Sequence, residues 1–137
     1  MKMNRLVPYL VAAGVVQWVI AAANIFIPGK LRYGENIARL TPIVREVFIV
    51  HAVYIVGVLV GFGALSVWFA PELASGAGLG RFLSVFLAVF WVPRVFVQLF
   101  YYDRDVKRAN PVGHVLFTTL FVYLAVVYTL AALGVVR

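Results

Sequence analysis

Hydrophobic and polar positions along the chain separate into four long apolar blocks divided by short charged ones. No Asp, Glu, Lys or Arg falls between Leu6 and Gly29, between Val47 and Pro71, or between Ala109 and Val136, and the stretch from Phe82 to Tyr102 is broken only by Arg94. A helix rising about 1.5 Å per residue needs about 20 apolar residues to cross a hydrocarbon layer, and each block is that long. Lipid offers backbone amides no partner, so such blocks must bond internally as helices. The pattern predicts an all-α, integral membrane four-helix bundle, one domain over residues 1–137, with spans near 6–28, 43–70, 81–102 and 111–135.

The residues between the blocks agree. Pro28-Gly29 should stop the first helix, Thr41-Pro42 should cap and open the second, Pro71 should end it, and Asn110-Pro111 should open the fourth. Gly76, Gly78 and Gly80 make the link from Glu72 to Gly80 a flexible turn, a poor place to hold catalytic groups. Leu31, Ile37 and Leu40 alternate with charges and suit a short amphipathic element along the headgroups. The basic start, Met1 to Arg5, and the small triplet Ala21-Ala22-Ala23 resemble a signal peptide, but the apolar run continues to Ile27 and is read as a retained span.

Composition sharpens this picture. The chain is 64% hydrophobic and 12% charged, against about 45–50% and 25% in soluble domains, and four spans leave no room for a soluble catalytic module. The net charge of +7 lies in loops beside apolar runs, where it meets anionic headgroups and fixes topology, which argues against nucleic acid as a partner. The absence of cysteine excludes disulfides, thiolate chemistry, iron–sulfur clusters and covalently attached haem. Seven basic residues (Lys30, Arg32, Arg39, Arg45, Arg104, Lys107, Arg108) flank the two longer connections and four (Lys2, Arg5, Arg81, Arg137) the terminal side. That bias predicts cytoplasmic connections and both termini on the non-cytoplasmic side.

Small residues decide which helix faces meet in lipid. Gly57, Gly61 and Ala64 form one such stripe, and Gly14, Gln17, Ala21 and Asn24 another, so the first two helices are expected to touch along them.

An ionisable group within a span costs roughly 2.5–3.5 kcal/mol to insert and is retained where it meets a partner, a cavity or a substrate. Such groups concentrate here in the half of each span next to the longer connections: Gln17, Asn24, Glu46, His51, Tyr54, Arg94, Gln98, Tyr101, His114 and Thr118. Arg94, Gln98 and Tyr101 share a helix face, and Pro93 frees the carbonyl of Val89 beside them. The set is read as one polar pocket open to the cytoplasmic leaflet. Structural roles compete: Arg94 paired with Glu46 or Asp103, His51 as an interhelical strut, Tyr101 and Tyr102 as an aromatic belt.

Three uses fit such a pocket. The first is binding of a quinone, a lipid or another amphipathic molecule, with Arg94 on the headgroup and His51 and Tyr54 donating to it or exchanging protons. The second is an accessory or assembly subunit of a larger membrane complex, or a homo-oligomer, with the polar residues as a buried network. The third is a haem held by His51 and His114, which their unequal depth disfavours. No ligand pair at helical spacing within a span points to a metal, and the sequence does not decide whether a reaction follows binding.

The layout resembles the DoxX-like small bacterial membrane proteins: four spans, a longer link after the first, and a glutamate opening the second, here Arg45-Glu46-Val47-Phe48, followed by Gly57, Gly61 and Gly63. The chain lacks that family's adjacent glycine pair and carries Arg94 and His51 inside spans. The resemblance implies the bacterial inner membrane and an association with quinones or redox homeostasis, with Glu46 as the one residue it singles out.

Overall fold

In a computed structural model the chain is described at residues 5–30, 35, 38–101 and 111–134. Five α-helices follow one another among these residues: α1 (Val7–Lys30), α2 (Pro42–Trp68), a short α3 (Ala70–Ala74), α4 (Gly78–Phe96), which continues into a π-helical turn (Val97–Tyr101), and α5 (Pro111–Leu133). Four of them are long and apolar enough to span a bilayer: Val7–Phe26, Pro42–Trp68, Gly78–Phe100 and Pro111–Leu133. The protein is an all-α, multi-pass membrane protein.

Local chemistry sets most of the helix ends. Thr41 is extended (φ −60°, ψ 150°) and Pro42, which has no amide hydrogen to leave unpaired, occupies the first turn of α2. Pro111 opens α5 in the same way, while Asn110 lies outside the described residues. Two expected stops are displaced. The first helix runs to Lys30, one residue past Pro28-Gly29. The second ends at Trp68, and Pro71 sits in the first turn of α3. The expected amphipathic element around Leu31, Ile37 and Leu40 falls mostly outside the described residues.

The helices associate as two pairs, α1 with α2 and α4 with α5, and α3 touches all four. At the first crossing Gly14 meets Gly63. A Cβ on Gly14 would stand 2.6 Å from the Gly63 carbonyl oxygen, and one on Gly63 would enter the Trp18 indole, whose N–H donates to Val60 O at 3.1 Å. The expected contact of α1 with α2 therefore exists, but not through Gly57 and Gly61, whose Cβ positions face open space. The expected flexible link is likewise corrected. Ala70, Leu73 and Ala74 are buried, Ser84 Oγ donates to Leu73 O at 2.9 Å, and a Cβ on Gly80 would collide with the Glu72 carbonyl. Within this link Gly76 and Gly78 take left-handed conformations, φ 71° and 57°.

The core fills one half of the bundle. Leu6, Leu10, Ala13 and Gln17 on α1, Leu59 and Ser66 on α2, Leu87 and Trp91 on α4, and Leu124 and Tyr128 on α5 are buried, all towards the end where α3 lies. Beyond Ala21 on α1, Leu59 on α2, Trp91 on α4 and Phe121 on α5, towards the connections after α1 and α4, Gln98 alone is buried among the described side chains. From Pro42 to Ile55 every residue of α2 is exposed except Arg45, which is half-buried.

Candidate functional site

Two polar groups sit inside the bundle. The first is closed. Trp91 Nε1–H donates to Gln17 Oε1 at 3.2 Å, Gln17 Nε2 donates to the Tyr128 hydroxyl at 2.6 Å and to Ala13 O at 3.3 Å, and Tyr128 is hydrogen-bonded to Ser66 Oγ. Because the Tyr128 oxygen accepts from Gln17, its own hydrogen is free to go to Ser66. Each spanning helix supplies one member, and all four side chains are buried. Such a network fixes the pairing of helices and leaves little donor or acceptor capacity for a ligand.

The second group lies in the connection-side half, between α4 and α5. The Arg94 guanidinium lies over the Phe121 ring, 4.6 Å from its centre, and Phe121 stacks on Trp91 with centroids 5.6 Å apart. Arg94 therefore stands where the packed half ends. One turn further, Gln98 Nε2 approaches His114 Nδ1 at 3.2 Å, and Thr118 Oγ1 donates to the His114 carbonyl at 2.7 Å. Gln98 belongs to the π turn that follows Pro93, and the Val97 amide that opens it is shared between the carbonyls of Pro93 and Arg94. The disturbance expected at Pro93 thus takes the form of a widened turn, a feature common at functional sites.

The hydrogen bonds define the polarity of this group. An amide nitrogen can only donate, so His114 Nδ1 accepts and the neutral ring carries its hydrogen on Nε2. Arg94 has only donors. The pair can therefore hold a group that carries acceptor oxygens, whether carbonyl, carboxylate or phosphate.

The ten residues singled out in the sequence divide among several places. Arg94, Gln98, His114 and Thr118 come together. Gln17 joins the closed network instead, because Trp91 and Tyr128 reach it across the packed half. Asn24 is exposed on α1 and donates to Ile20 O at 2.8 Å. Glu46, His51 and Tyr54 are exposed on α2, with His51 Nδ1 bonded to Val47 O at 2.8 Å. Tyr101 ends the π turn, and Tyr102 and Asp103 lie outside the described residues. No described contact joins His51 to His114 as an axial pair would require, and no group of three or more metal-ligating side chains occurs among the described residues. Trp91, Ser66 and Tyr128 were not among the candidates. Their one sequence signal is that an amide within an apolar span, Gln17, must find partners on other helices.

None of the protein-family models, curated proteins or solved structures compared with the chain matches it.

Proposed function

We propose that this membrane protein binds an amphipathic molecule whose headgroup carries acceptor oxygens, a quinone or an anionic lipid, in the connection-side half of the bundle and with entry from the bilayer. The observation that carries this reading is the donor pair of Arg94 and His114, held by Phe121 and Gln98 at the edge of the packed core, beyond which the other described side chains are exposed or half-exposed. Arg94 would hold the headgroup oxygen by charge-assisted hydrogen bonds and His114 Nε2–H would donate a second bond, while aromatic residues such as Phe117 line the path of the tail. A quinone carbonyl fits this donor set, and the resemblance to the DoxX-like proteins favours a quinone and a redox association over a purely structural lipid. The excess of basic residues beside the two longer connections supports placing them in the cytoplasm of a bacterial cell, with both termini outside.

Equilibrium titration of the detergent-solubilised protein with a short-chain ubiquinone analogue and with phosphatidylglycerol tests the reading. Losing a hydrogen bond to a charged group costs about 1.5–3 kcal/mol, so Arg94→Leu should weaken binding by about tenfold or more, and His114→Phe by less. Undiminished affinity in both variants would refute it and favour the alternative, an accessory or assembly subunit with no chemistry of its own.

A further inference from the structure

An arginine inside a span ordinarily snorkels, bending its charge towards the nearer headgroups. Arg94 has that route within reach, since its span ends at Phe100, six residues or about 9 Å further along the helix. The guanidinium goes the other way. It rests 4.6 Å from the centre of the Phe121 ring, and Phe121 is the eleventh of the 23 residues of α5, a helix about as long as a bilayer's hydrocarbon is thick. The charge is therefore held near the middle of the membrane, the level at which it is most costly. Two features keep it there. Helical side chains lean towards the N-terminus of their own helix, and for Arg94 that direction is inward. The ring it meets is itself fixed: Phe121 is buried and stacks on Trp91 with centroids 5.6 Å apart, and Trp91 is pinned by its N–H bond to Gln17. The closed network thus seats the ring that carries the cation.

His114 stands seven residues before Phe121, about 10 Å nearer the connections. A molecule that meets both donors must carry acceptor oxygens at two levels, the inner one deep in hydrocarbon. A phosphodiester headgroup belongs at the surface and would have to bring its charge about 15 Å inward to reach Arg94. A neutral carbonyl compound that dissolves in the bilayer takes its oxygens to that depth without burying a charge. We infer that Phe121, by holding Arg94 near the midplane, makes this site selective for an uncharged, bilayer-soluble compound with two carbonyl oxygens and against phospholipid headgroups. The inference rests on the binding reading above and narrows it from two ligand classes to one. Phe121 is a positioning residue that acts through Arg94. A guanidinium that spends less time on the ring offers a weaker site, because apparent affinity falls with the fraction of molecules competent to bind.

The test uses the full chain in phosphatidylcholine nanodiscs, with a short-chain ubiquinone analogue as probe and phosphatidylglycerol as competitor. The parent should bind the analogue, and phosphatidylglycerol should not displace it. Phe121→Leu removes the ring and frees Arg94 to reach the surface. It should weaken binding of the analogue by about two- to thirtyfold, the worth of a cation–π contact, while phosphatidylglycerol begins to compete. Trifluorophenylalanine at position 121 fills nearly the same space with the negative charge of its face withdrawn, so it should act on binding as Phe121→Leu does. Should Phe121→Leu unfold, the fluorinated ring, which preserves the packing, carries the test alone. A ring that served only for packing would leave binding unchanged on fluorination, and that result would overturn the inference. Phosphatidylglycerol that binds the parent as tightly as the analogue, with both lost from Arg94→Leu, would overturn the selectivity and leave the binding reading intact. Loss of neither ligand from Arg94→Leu would overturn both.

Discussion

Replacing Tyr128 by Phe removes one oxygen and leaves the ring, so the substitution isolates the closed network from the packing around it. That oxygen accepts from Gln17 and is hydrogen-bonded to Ser66 Oγ, and it joins α5 to both α1 and α2. Interhelical hydrogen bonds in membranes average about 0.6 kcal/mol and reach about 1.7, so losing two costs roughly 1–3 kcal/mol. Gln17 keeps its bonds to Ala13 O and Trp91 Nε1, which holds the expectation near the middle of that range, about 1.5 kcal/mol. Gln17→Leu should cost more, about 2–3 kcal/mol, because it orphans the Trp91 N–H as well. Reversible unfolding in a bilayer-mimetic detergent, run on both single variants and on the double variant, measures the coupling directly. The double variant should be less destabilised than the sum of the singles by at least about 0.5 kcal/mol. Additive effects, or Tyr128→Phe within about 0.3 kcal/mol of the parent, would show that the network does not hold the helices together and would refute the reasoning.

Two further substitutions test the packing. Gly63→Ala should destabilise the protein by about 2 kcal/mol or more, because its methyl enters the Trp18 indole, whereas Gly57→Ala should leave a monomer as stable or up to about 1 kcal/mol more so; equal thermal shifts would contradict the assignment of the crossing. Ser84→Ala removes the donor to the Leu73 carbonyl and should cost about 1 kcal/mol, with faster amide exchange in α3; unchanged exchange would mean that this bond does not hold α3 in place.

The four spans were legible because bilayer thickness and the ban on unpaired backbone amides act on composition alone. Thr41, Pro42 and Pro111 mark helix starts by properties of single residues, and they mark them correctly. The face shared by Arg94 and Gln98 follows from helical spacing, and His114 was grouped with it; only the pairing of His114 with Gln98 needed the structure. What could not be read depends on which face each helix turns. Two glycine pairs stand on α2 and its neighbour, and sequence spacing favours Gly57 and Gly61, yet Gly63 makes the crossing because Trp18 folds over it. Gln17 was grouped with Arg94 by depth alone, while its actual partners, Trp91 and Tyr128, reach it through long aromatic side chains.

The central claim is that the connection-side half holds an amphipathic ligand. A native mass spectrum of the protein, released from its own membrane into a mild detergent, tests it most directly. The account predicts a stoichiometric adduct with the mass of a quinone or an anionic lipid, retained by the parent and lost from Arg94→Leu. A bare chain, or an adduct that persists in Arg94→Leu, would contradict it.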